Sequence, residues 1–124
     1  MTGKRRYSIA VDFDGVIHRY SKGWHDGTIY DEPMEGAREA LARIHRRYRV
    51  VIFTTRVNPD LHGGEQQMGR IQEWLARHGF RLGEHYDEIT HVKVPALAYI
   101  DDRALHFIDW TQALDELGSR YRLP

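Results

Sequence analysis

Three short β-branched or apolar runs, Ser8 to Asp12, Val50 to Thr54 and Leu97 to Asp101, each end in polar residues, the pattern of parallel strands buried on both faces. Amphipathic stretches separate them. Between the first two runs, Pro33 suits a first helical position, and Met34, Ala37, Leu41, Ile44 and Tyr48 follow at the three-and-four spacing of a buried stripe. Between the second and third, Met68, Ile71, Leu75 and His78 repeat that spacing, and Gly79 falls where a helix ends in a left-handed residue. A weaker strand is expected over Glu88 to Val92. A last helix over Trp110 to Leu117 would be capped by Asp109 and stopped by Gly118. Strand and helix in alternation predict an α/β fold with a central parallel sheet.

The chain of 124 residues is the size of one compact domain, so residues 1–124 are read as a single unit. Its 18 basic and 18 acidic side chains cancel, which removes any global field toward nucleic acid or an anionic membrane. The absence of cysteine excludes disulfides, thiolate catalysis and thiolate-bound zinc. With no apolar leader and no run long enough to span a bilayer, a soluble, cytoplasmic protein without a membrane partner is expected.

Right-handed crossovers bring the carboxyl ends of parallel strands to one edge of the sheet, where ligands of such folds bind. The polar strand ends should therefore meet there. They are Asp12 and Asp14, Thr54 to Arg56, Lys93 to Pro95, and Asp101 to Arg103. Asp12 and Asp14 lie two residues apart, so alternation sends both carboxylates to one side while Phe13 turns into the core, and Gly15 permits a sharp departure. Taken alone this is an ordinary turn sequence. The other strand ends change its meaning. A phosphoryl group must have its charge neutralised before a carboxylate can approach, which calls for a hard cation and fixed donors. Asp12 and Asp102 are oxygen ligands suited to magnesium, Thr54 offers a hydroxyl, and Lys93 offers a point charge. Each has a plain alternative: a β-branched strand end for Thr54, an exposed loop residue for Lys93, and a solvated acidic pair for Asp101 and Asp102.

Together these residues resemble the motifs of haloacid dehalogenase (HAD) phosphatases. Asp12 to Val16 matches D-x-D-x-[TV], Val50 to Thr54 matches an apolar strand ending in Ser or Thr, Lys93 matches the lysine of the third motif, and Asp101-Asp102 matches the closing acidic pair. All four occur in the family's order. The resemblance implies a Rossmann-like three-layer sandwich in which Asp12 is the nucleophile and Asp14 the general acid and base. It also implies Mg2+ held by Asp12, the Asp14 carbonyl and Asp102, with Asp101 close by. Thr54-Thr55-Arg56 and Asp101-Asp102-Arg103 are similar to the T-x-R and D-D-R forms in the phosphatase domains of polynucleotide kinase-phosphatases. That likeness suggests Thr55, Arg56 and Arg103 as phosphate contacts, unless the arginines merely pair with neighbouring carboxylates.

Gly15 to Glu32 leaves room only for a minimal cap, expected as a hairpin pairing Ile17 to Tyr20 with Thr28 to Tyr30. On that flap Trp24, His25 and His18 are candidates for substrate contact. Val57 to Glu65 is expected to be a loop. The expected partner is a phosphorylated substrate, with a nucleotide or nucleic-acid end suggested by the resemblance, and no feature indicates an oligomer. Two other readings are a phospho-receiver switch, whose motifs run in a different order, and a HAD fold used only for binding.

Overall fold

The computed structural model describes residues 7–61, 63–101, 108–121 and 123. Strand β1 (Ser8–Asp12) leads through a long flap to helix α1 (Ala37–His45) and strand β2 (Arg49–Phe53). A 3-10 turn (Thr55–Val57) and helix α2 (Gly64–Arg77) follow, then strands β3 (Glu88–Thr90) and β4 (Ala98–Ile100) and helix α3 (Trp110–Arg120). The four strands form one parallel sheet in the order β3-β2-β1-β4. This α/β fold with an open parallel sheet agrees with the sequence pattern and is compatible with a Rossmann-like arrangement.

Register places Asp12 opposite Phe53 across the β1 and β2 pair, so these two strands end together. Their central residues are fully buried, which accounts for apolar runs without alternation. Ile9, Val11, Val50, Ile52 and Ile100 share one apolar cluster with buried residues from all three helices. Removing a side chain such as Ile52 from water contributes roughly 1.5–3 kcal/mol. Ala10 and Val51 are also buried but lie outside that cluster, as expected from their alternate position on the strands. Phe53 and Tyr99 share their alternation and meet edge to face. The Tyr99 hydroxyl accepts a hydrogen bond from the backbone N–H of Val94 in the preceding loop.

Several boundaries differ from the sequence reading. Helix α1 starts at Ala37 instead of Pro33, because Gly36 at φ 82 interrupts helical backbone and Pro33 bridges His18. Gly79 does sit in the left-handed region, at φ 85, just beyond the end of α2. Gly118 does not stop α3: the helix continues to Arg120, while its start at Trp110 and its Asp109 cap are as expected, with Asp109 accepting from Gln112 N at 2.8 Å. The run Leu97 to Ile100 is less buried than its composition suggests, with Leu97 exposed and only Ile100 enclosed. Part of the expected loop Val57 to Glu65 is ordered into the ends of the 3-10 turn and of α2.

The flap is not the expected hairpin. Its backbone pairing falls nearer the base, where Arg19 N donates to Glu32 O and Met34 N to Ile17 O, at 3.0 and 2.8 Å. The segment between is held by side chains. The Tyr30 hydroxyl donates to Gly23 O and accepts from Lys22 N, while Asp31 accepts from both the backbone and the hydroxyl of Ser21. Trp74 of α2, 1% exposed, joins flap to core by donating from its indole to Asp31 O at 3.0 Å and meeting Phe13 edge on. None of the described helices is long and apolar enough to cross a membrane.

Candidate active site

After β1 the chain curls tightly. The Phe13 carbonyl accepts from the backbone N–H groups of Val16, Ile17 and His18, and Gly15 takes φ 83, a conformation that suits glycine. Phe13 is wholly buried, so its two neighbours, Asp12 and Asp14, turn toward the sheet edge. Asp12 Oδ1 accepts from Phe13 N at 2.8 Å, which orients that carboxylate.

A cleft of about 450 Å³ lies at this edge, lined by Asp12, Asp14, Gly15, Val16, Tyr20, Phe53, Thr54, Thr55 and Asp101. Five residues singled out by sequence thus meet: Asp12, Asp14, Thr54, Thr55 and Asp101. Thr54 is almost fully buried and its hydroxyl oxygen accepts from Arg56 N at 3.2 Å, leaving the hydroxyl proton to be donated elsewhere. A larger groove of about 950 Å³, lined by Tyr7, Arg49 and Leu97 among others, has no comparable set of acids and donors.

Other candidates lie elsewhere. Arg56 does not offer its guanidinium to a substrate: it is 1% exposed, and Nε donates to Asp14 Oδ2 at 2.6 Å. Its Nη1 donates to Gly27 O at 2.9 Å and Gln67 Oε1 at 3.1 Å. Nη2 is buried without a hydrogen-bond partner among the described residues, and the Trp24 ring covers the guanidinium at 4.7 Å. A cation against an aromatic face partly offsets such an orphan donor. Trp24 therefore serves Arg56 and does not line the cleft. His25 is exposed and meets the Tyr30 ring edge on at 5.8 Å, away from the lining residues. Lys93 is exposed with its ammonium 5.7 Å from the Tyr99 ring centroid, and is also outside the lining. Asp102 and Arg103 lie outside the described residues.

His18, for which the sequence left a substrate contact open, is fully buried. Its Nδ1 lies 2.9 Å from Asp14 Oδ1, and its Nε2 accepts from Asp31 N at 3.1 Å. An acceptor role for Nε2 assigns the proton to Nδ1, so His18 donates to Asp14. Asp14 is consequently gripped at both oxygens, by His18 and by Arg56, and both grips lead into the flap through Asp31 and Gly27. Gly27 fits this junction closely. Its carbonyl accepts from Arg56 and from Gln67 Nε2, its φ is +82, and a Cβ there would come within 2.9 Å of the Trp24 ring.

Gln67, Gly27 and Tyr20 were not recognised in the sequence. Tyr20 lines the cleft, and burial together with the Asp14 carboxylate pushes its phenol above its ordinary range. The only available signal for Gln67 was a polar residue on the buried stripe of α2, one position before Met68.

As to a metal, no group of three or more His, Cys, Asp or Glu spaced to hold an ion occurs among the described residues. The donors lining the cleft are nevertheless all oxygen, with two carboxylates, Asp12 and Asp101, besides the doubly gripped Asp14. That chemistry fits a hard cation such as Mg2+, which requires only one or two protein carboxylates and completes its shell with water.

Two outcomes test this site. Arg56→Met removes one partner of a largely buried pair and leaves Gln67 Oε1 without its donor; a fully buried pair would lose about 3–5 kcal/mol, and the 18% exposure of Asp14 places the loss toward the lower end. A urea midpoint shift equivalent to less than about 1 kcal/mol would contradict the grip. The second concerns Asp31, whose pKa is lowered to about 2, chiefly by the Ser21 hydroxyl and then by its backbone N–H. Because the folded value is depressed, the stability it contributes is fully present above the ordinary value of 3.8 and is lost as pH falls through about 2. In Ser21→Ala a carboxyl NMR titration should move Asp31 back toward the ordinary value; an unmoved titration would reject the assigned cause.

Comparison with protein-family models, with curated proteins and with solved structures finds no match to this chain, and the functional reading rests on the cleft's own geometry.

Proposed function

We propose that the chain is a magnesium-dependent phosphatase of HAD type, hydrolysing a phosphomonoester through an aspartyl-phosphate. The observation that carries this reading is the meeting of Asp12, Asp14, Thr54, Thr55 and Asp101 in one cleft at the carboxyl edge of a parallel sheet. A solvated turn or an isolated acidic pair gives no reason for all of them to converge.

In this mechanism an Asp12 oxygen attacks phosphorus and the ester bond to the leaving oxygen breaks. Asp14 gives its proton to that oxygen. It then removes a proton from water, which attacks the phosphorus of the aspartyl-phosphate and releases inorganic phosphate and free Asp12. Each Asp14 oxygen keeps a second lone pair beyond those used by His18 and Arg56, so the grip fixes the carboxylate plane without occupying all its proton sites. Thr54 donates its hydroxyl proton to a phosphate oxygen. Thr55, exposed on the cleft wall, offers a second hydroxyl. Mg2+ would be held by Asp12, the Asp14 carbonyl and the Asp101-Asp102 pair, and would neutralise phosphate charge. Lys93 would act as a rim charge, reaching phosphate only after leaving the Tyr99 ring.

With p-nitrophenyl phosphate, nucleotides and phosphorylated oligonucleotides as substrates, phosphate release should require Mg2+ and stop on chelation. Asp12→Asn should lower kcat on the order of 10⁴-fold or more with an unchanged circular dichroism spectrum. Substantial turnover by that variant, or by metal-stripped protein, would remove the mechanism.

A further inference from the structure

We infer that Tyr20 is the specificity-determining residue of this cleft, and that it selects phosphomonoesters whose alcohol carries a planar ring close to the ester oxygen. The inference rests on the phosphatase reading above and deepens it by naming the substrate class.

Besides the acids and hydroxyls, the cleft is lined by the side chains of Val16, Tyr20 and Phe53. Tyr20 is the aromatic one of these that comes from the flap, and it is held there by rigid neighbours. Its ring meets the fully buried His18 edge on at 5.7 Å and lies 5.9 Å from the Arg56 guanidinium carbon. These are the two residues that grip Asp14, so the ring and the general acid are positioned by the same pair of side chains.

The backbone at Tyr20 is left-handed, at φ 59, although the residue is bulky and not glycine. A turn bond from Gly23 N to Tyr20 O, at 3.1 Å, follows directly after it. Glycine would satisfy the turn with less strain, and strain of this kind collects where a side chain has a functional task. The Tyr20 hydroxyl makes no hydrogen bond to any described residue, unlike that of Tyr30 in the same flap, which bonds at both ends. The hydroxyl is therefore not what holds the ring in the flap.

An aromatic face beside a phosphate site recognises a planar group at one remove from phosphorus, as in aryl, benzyl or nucleoside esters, through stacking that a sugar or glycerol ester cannot match. Trp24 is not among the residues that line the cleft.

The test measures binding, which does not depend on turnover, using non-hydrolysable methylphosphonate and benzylphosphonate with Mg2+ present, by isothermal titration. Wild-type protein should bind benzylphosphonate about 10-fold more tightly than methylphosphonate. Tyr20→Gly removes the ring without adding backbone strain and should bring that ratio close to unity; Tyr20→Phe, which keeps the face, should retain it. A wild-type ratio near unity, or a ratio that survives in Tyr20→Gly, overturns the assignment while leaving the phosphatase reading in place. If neither phosphonate binds the wild type, the phosphatase reading fails and takes this inference with it.

Discussion

The two-sided grip on Asp14 is the contact on which the cleft and the flap both depend. A carboxylate at the end of β1, next to Asp12 and across from Asp101, sits where like charges accumulate, and one of them needs fixed donors to hold a single orientation. Arg56 and His18 supply those donors from within the protein, at 2.6 and 2.9 Å. Both are almost wholly enclosed. A guanidinium taken out of water has to satisfy its remaining N–H groups, and it does so on the Gly27 carbonyl, Gln67 and the Trp24 ring. The charge that orients the acid thereby also fastens the flap.

This arrangement makes the flap a fixed wall and not a separate cap. Its anchors are the backbone pairs at its base, the Asp31 bonds to His18 and Trp74, and the double acceptance by Gly27 O. Swinging it away would break several buried hydrogen bonds at once and take the Gly27 carbonyl and the Trp24 ring from Arg56. Thr55, Asp101, Phe53 and Tyr20 line the cleft that this wall borders.

The sheet and the meeting of its strand ends were legible in the sequence because they follow from local composition and from the handedness of crossovers. Val50 to Phe53 reads as a buried strand without knowledge of any partner, and once β1 and β2 are parallel and in register, Asp12 and Thr54 must lie side by side. Gly79 was legible for a similarly local reason. Gly118 misled because a glycine within a helix is only mildly unfavourable, and the burial of Leu117 and the bond from Tyr121 N to Leu117 O carry α3 past it. The Arg56 contact was the harder case. Its partner Asp14 is 42 residues away, and sequence alone left open whether the guanidinium faces a substrate or a carboxylate. His18 and Tyr20 lie two residues apart on one flap, yet one is sealed in the core and the other lines the cleft, a difference that no local pattern announces.

The central claim is that Asp12 forms a covalent bond to phosphorus. Reaction with substrate in the presence of Mg2+, quenching with borohydride, and mapping of the reduced residue by peptide mass spectrometry tests it directly. The account predicts reduction at Asp12 alone, and none without substrate. Reduction at Asp14, Asp101 or any other aspartate, or continued turnover with no reduced aspartate, would contradict it.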